Sequence, residues 1–237
     1  MAEELIGAES AGTLDDGYSI CAGTSHANNR DAIVGTGGST TAAFHYGGFG
    51  KISFGATPYF TYRPFLSFDI GASSIPSGAT IDSVKLKLQT NSDTSGFVTF
   101  THMGDFHIAK GTHVGFGAST YNDIDGWVSS GTYEGNVTEY GEFTSAASTA
   151  YDITLNATAI ADVESTIDSG YLKITLIYDG EWVEDYTLTG SGFFLFNGIN
   201  MASTEDTTPD NRPHIVVTYT GGAAEASGNS IIFGTNF

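Results

Sequence analysis

IDSVKLKLQT, residues 81–90, places Val84, Leu86 and Leu88 alternately with Lys85, Lys87 and Gln89. A period of two sends the apolar set to one side of an extended chain and the polar set to the other. The segment therefore reads as a strand with one face on a core and the other in water. Working outward, strands are expected at Tyr59–Ile70, Phe97–Met103, Phe106–Ala109, Tyr171–Tyr178, Phe193–Phe196 and His214–Thr220. YLKITLIYDG (171–180) and FFLFNG (193–198) are apolar on both faces, as in strands covered on both sides. Gly, Ser, Asn and Asp separate these runs, and with 31 glycines and 13% aromatics the chain reads as all-β. A length of 237 suits one sandwich core: two antiparallel sheets and a single short helix.

The helix is expected in YDITLNATAIADVESTIDSG (151–170), where Leu155, Ala159, Ile160, Val163 and Ile167 follow helical spacing. Thr154 or Asn156 could cap its start, and Gly170 follows its end. Residues 1–14 carry Glu3, Glu4 and Glu9 without a sustained period and read as an arm that orders only against a partner. Residues 15–220 form the sandwich, and 221–237 are a tail whose apolar Ile231, Ile232 and Phe233 suit docking onto a neighbouring subunit.

Two Arg-Pro pairs, Arg63-Pro64 and Arg212-Pro213, stand ahead of apolar runs in a chain with only eight basic residues. Proline fixes φ and lacks an N–H, so both pairs mark strand starts. The arginines are then structural, giving their five donors to loop carbonyls or to nearby carboxylates such as Asp69.

A net charge of −19 excludes a surface built to neutralise phosphates, so neither nucleic acid nor an anionic membrane is an expected partner. Cys21 stands alone, which excludes an intrachain disulfide and a thiolate metal cluster. The N-terminal residues lack the basic and apolar regions of a signal peptide, so synthesis in a host cytoplasm without export is expected. The triplets at Asn136 and Asn156 are then chance occurrences rather than glycosylation sites.

Candidate chemistry is sparse. His102, His107 and His113 could supply a metal site if a turn at Gly104-Asp105 brought the imidazoles together, whereas strand alternation would scatter them over two faces. No cofactor is required. A structural calcium is conceivable in two oxygen-rich loops, at Asn122, Asp123 and Asp125 or at Glu205, Asp206 and Asp210. Trp127, Trp182 and Tyr186 lie in acidic, loop-like settings where a ring could stack on a sugar. No nucleophile elbow, phosphate loop or zinc-protease helix is present, and the chain does not read as an enzyme.

RPFLSFDIGASSIPSGATIDSVKLKL (63–88) resembles the signature of the DNRLRE-type domains, jelly-roll sandwiches similar to carbohydrate-binding modules. DGYSI (16–20) with AIVG (32–35), STYND (119–123), YDIT (151–154) and ASTEDTTPDNRPHIVVTYT (202–220) follow in that family's order. The tryptophan common before the Thr-aromatic-Asn loop is replaced by FHIAKGTH (106–113). The resemblance implies a jelly roll with architectural Arg and Asp positions and, as in related sandwiches, a structural calcium. Together these features lead to a non-enzymatic virion surface protein of a phage, a capsid decoration or fibre component that forms homo-oligomers and joins other virion subunits. The alternative is a module that binds a polysaccharide.

Overall fold

The structure is a computed structural model, and it describes residues 1–9, 16–32, 35–41, 44–52, 59–91, 94–95, 98–102, 104–115, 118–127, 136–182, 188 and 194–222. It is an all-β sandwich of two sheets. In chain order the elements are β1 (Ala2–Gly7), β2 (Gly17–Gly23), α1 (His26–Arg30), β3 (Gly37–Ser39), β4 (Phe44–Ile52), β5 (Tyr59–Asp69) and β6 (Ala79–Gln89). β7 (Thr94–Ser95), β8 (Val98–His102), β9 (Asp105–Lys110), β10 (Glu139–Thr144), β11 (Ala150–Thr154) and α2 (Ala157–Thr166) follow. The chain continues through β12 (Tyr171–Tyr178), α3 (Asp179–Trp182), β13 (Phe194–Ala202) and β14 (His214–Gly221).

The smaller sheet has four strands in the order β1-β14-β6-β11. The larger has ten, running β10-β9-β12-β5-β4-β13-β8-β7, with β2 attached to β5 and β3 to β2. The chain passes between the layers more than once, as where β5 lies in the large sheet, β6 in the small and β7 again in the large. All pairings are antiparallel among the described residues except β13 with β8, which is parallel. The two strands are far apart in sequence, leaving ample chain for the crossover that parallel pairing needs.

Between the sheets lies the main core. Val84, Leu86 and Leu88 of β6 meet Leu66 and Phe68 of β5 and Leu172, Ile174 and Leu176 of β12. A second, smaller cluster covers the other face of the large sheet, where Phe65, Ala109, Ile124, Val137 and Ile177 pack under Trp127. Burial on both faces is why β12 is a continuous apolar run, while β6, covered on one face, alternates.

α2 forms where its spacing predicts. Asn156 is the N-cap, its Oδ1 accepting from Thr158 N at 3.0 Å and Ala159 N at 3.2 Å. Leu155, Ala159, Val163 and Ile167 are buried. Two further short helices, α1 and α3, carry no sequence periodicity long enough to signal them.

The N-terminal residues correct the expectation of an arm. β1 pairs antiparallel with β14 from Ala2↔Tyr219 to Gly7↔His214. Ile6 enters the core, and Ser74 Oγ donates to the Glu4 carboxylate at 2.6 Å. Glu3 and Leu5 face outward, so the short alternation is that of an edge strand whose polar residues hid its period. The tail residues Ile231, Ile232 and Phe233 lie outside the described residues.

One Arg-Pro pair also differs from expectation. Pro213 does precede a strand, and its carbonyl accepts from Ala8 N at 2.9 Å. Arg63 and Pro64 instead lie inside β5, between the part paired with β4, up to Tyr62, and the part paired with β12, from Phe65. At this change of partners a missing N–H costs the ladder little, so proline is tolerated in mid-strand.

Candidate functional site

Arg63 is completely buried, and its surroundings explain why it is an arginine. Nε and Nη2 donate to Glu181 Oε2 at 3.0 and 2.9 Å. Nη1 donates to the Tyr121 carbonyl at 2.8 Å and to Asn122 Oδ1 at 2.7 Å, and Nη2 also to the Arg30 carbonyl at 3.2 Å. The guanidinium carbon lies 4.0 Å from the centroid of the Tyr121 ring and 4.1 Å from that of Trp127. Glu181 is equally buried; desolvation pushes its carboxyl up, and Arg63 opposes that push. This is an architectural node that ties β5, α1, α3 and the loop under Trp127 together.

Two further buried pairs have the composition of catalytic dyads without their access. Ser67 Oγ lies 2.7 Å from His113 Nε2, and both residues are sealed from solvent. His45 Nε2 lies 2.8 Å from Asp16 Oδ2, while Thr204 N and Oγ1 donate to the same carboxylate at 3.0 and 2.6 Å.

In the oxygen-rich loops Asn122, Asp125, Glu205 and Asp206, all named from the sequence, have separate partners. Asn122 is spent on Arg63 and on the Ala32 carbonyl. Asp125 Oδ2 accepts from Thr138 Oγ1 at 2.5 Å, whereas Asp123 sits near Lys173 with its carboxyl pushed up by burial. In the closing loop Asp206 Oδ1 accepts from Thr208 N at 2.8 Å, and Glu205 Oε2 accepts from Ser203 Oγ at 3.0 Å. Asp210 lies on the following 3-10 turn and is exposed. Asp206 and Glu205 thus make local, turn-closing contacts, a common use of acidic residues in a loop. Among the described residues, the acidic and imidazole groups that do converge are His107, Glu139 and Glu142.

Trp127 is half-buried, packing on the second cluster and against Arg63. Trp182 ends α3, and Tyr186 lies outside the described residues. Asp69 ends β5 and its Oδ1 accepts from Ala72 N at 2.9 Å, a turn-closing role. Arg212 is exposed and its Nε donates to the Asp206 carbonyl at 2.9 Å, holding the loop before β14.

A surface groove lies on the outer face of the four-stranded sheet. It has a volume of about 470 Å³ and is lined by Leu5, Lys87, Asp152, Asp210, Arg212 and His214 among others. His214, Lys87 and Asp152 stand side by side because their positions are in register across β14, β6 and β11. Lys87 Nζ is 3.1 Å and Lys85 Nζ 3.4 Å from the two Asp152 oxygens. The hydrogen bond from Lys87, with help from Lys85, holds the Asp152 carboxyl below its ordinary range. His214 Nδ1 donates to the Arg212 carbonyl at 2.9 Å. Lys85, Lys87 and Arg212, three of the eight basic residues in this acidic chain, thus gather at one face. The Lys85/Lys87 alternation was legible as a polar face, but its juxtaposition with His214, Asp152 and Leu5 required the strand register.

Comparison with known proteins adds no family: no family model matches the chain, and no curated protein matches it.

Proposed function

We propose that this chain is a non-enzymatic structural component of a phage virion surface, joined to its neighbours by strand addition at the open edge of β1. The observation that carries this reading is the edge itself. Among the described residues β1 is the outermost strand of the small sheet, and Leu5 on it is 65% exposed. A strand edge with an exposed apolar side chain is a template for another strand. The burial of the dyads at Ser67 and Asp16 supports a non-enzymatic role. With a net charge of −19, copies repel one another, so association through this edge strengthens as salt screens the charge. Light scattering is therefore expected to show oligomers that grow with ionic strength. Leu5→Lys, which places a charge on the edge, is expected to weaken association at least tenfold. A chain that stays monomeric at every salt concentration, with Leu5→Lys entering particles normally, would exclude assembly through β1.

The groove favours a second reading, polysaccharide binding. Lys87 and Arg212 offer donors while Asp152 and Asp210 offer acceptors along one trough, a pattern that suits sugar hydroxyls. A glycan array is expected to show hits that Lys87→Ala and Arg212→Ala each weaken by about tenfold, the loss of one charge-assisted hydrogen bond. Hits that are indifferent to both substitutions place any sugar elsewhere.

A further inference from the structure

We propose that His107, Glu139 and Glu142 form a binding site for a zinc-like divalent cation at the outer edge of the ten-stranded sheet, with Asp179 fixing the imidazole. The site begins with the register of β9 and β10. Glu142 lies opposite His107 and Glu139 opposite Ala109, but the register shifts between Glu139 and Gly141. Glutamates three residues apart in a regular strand point to opposite faces. The bulge inserts one extra residue, so both carboxylates come out on the face that carries His107, while Tyr140 and Phe143 both turn into the core. Donor atoms of His107, Glu139 and Glu142 consequently lie within 4.8 Å of one another.

The imidazole makes the stronger argument. His107 Nδ1 is 2.7 Å from Glu139 Oε1, and Nε2 is 3.2 Å from Asp179 Oδ1. A neutral imidazole has one N–H, so it can donate to one of these carboxylates only. With an ion bound, Nε2–H would go to Asp179 and Nδ1 would serve as the ligand beside the Glu139 and Glu142 carboxylates. Two carboxylates and an imidazole nitrogen within 4.8 Å of one another form a donor set for a cation. Asp179 then plays the part of the outer carboxylate that sets tautomer and ring orientation in metal-binding histidines.

One nitrogen and two carboxylate oxygens suit zinc or a neighbouring transition metal better than calcium, which takes six to eight oxygens. Tetrahedral zinc with ligands at about 2.0–2.1 Å holds neighbouring donors about 3.3 Å apart. Glu139 therefore needs to draw back only slightly from His107, and its side chain is 36% exposed. The ion would pin β10, the edge strand of the large sheet, to β9 and fix the bulge.

Isothermal titration of the untagged full chain with zinc chloride is expected to give one ion per chain, with a rise in melting temperature on saturation. Glu142→Gln, at an exposed position, is expected to weaken binding at least tenfold and to abolish the thermal shift. Asp179→Asn is expected to weaken it about 10–100-fold, and Asp82→Asn, exposed on β6 of the other sheet, to leave it unchanged. Calcium chloride is expected to give no one-to-one binding. Absence of saturable zinc binding overturns the proposal and leaves His107 as a hydrogen-bonding link between Glu139 and Asp179. Full affinity in Glu142→Gln, or a calcium response equal to that of zinc, overturns it as well.

Discussion

Arg63→Ala is expected to cost about 3–5 kcal/mol, the range for removing one partner of a buried ion pair. The substitution strands the Glu181 carboxylate, which is fully buried and takes two of the arginine's hydrogen bonds. It also empties the volume against the Tyr121 and Trp127 rings, and it leaves the Tyr121 and Arg30 carbonyls without a donor that reaches both. For a chain of this size the loss corresponds to a fall in melting temperature of roughly 6–20 °C. Near-ultraviolet circular dichroism is a suitable probe, because Trp127 lies on the guanidinium. Arg63→Lys keeps the charge but lacks the planar fork, so it is expected to recover only part of the loss. The double variant Arg63→Met, Glu181→Leu removes both charges and is expected to be more stable than Arg63→Ala alone. If Arg63→Ala unfolds within about 1 kcal/mol of the parent, the node does not bind the loops to the sheet.

The second large effect is acid lability. Burial, with a smaller contribution from Lys173, holds the His113 imidazole down at about 4. Burial and Lys51 do the same for His26, also to about 4. His26 is wedged edge-on against Phe49 and Tyr59, with ring centroids 4.5 and 4.8 Å away. In the unfolded chain both titrate near their ordinary value of about 6.5. Between those limits the unfolded state binds more protons, so stability rises with pH. The stabilisation is complete above about pH 6.5 and is lost as pH falls towards 4. Each histidine contributes on the order of 3 kcal/mol to this loss. Asp123, raised by burial, acts in the opposite sense near the acid end of the window. Urea midpoints measured from pH 7.5 to 4.5 are expected to fall steeply, and His26→Phe is expected to remove about half the slope. A midpoint that does not move between pH 7 and 5 contradicts the burial of both rings in neutral form.

Individual residues show how far the sequence could be read. The alternation of β6 and the two-sided apolar run of β12 identify strands because side-chain direction along an extended chain is a local property. α2 was legible for the same reason, since its apolar spacing and Asn156 cap lie within one short stretch. β1 was not, because six residues with two glutamates carry too little period, and their pairing with β14 joins the two ends of the chain. Arg63 was legible as a structural residue but not in its place: Pro64 suggested a strand start, whereas β5 changes partner there. Trp127 looked like an exposed ring in an acidic loop, and only the packing shows Arg63 against it.

The sites follow the same division. Asn122, Asp123 and Asp125 are neighbouring oxygen donors in sequence, whereas the fold takes Asn122 to Arg63 and Asp125 to Thr138. The cluster of His107, Glu139 and Glu142 joins residues over thirty positions apart through a bulge that no periodicity announces. From the sequence alone came the all-β class, the buried and polar faces of β6, the position of α2 and the acidic character, all set by local pattern and composition. Register, the bulge in β10 and the meeting of Arg63 with Glu181 were decided by tertiary structure, because they depend on which distant strands lie side by side, and a strand's own residues specify its faces but not its neighbours.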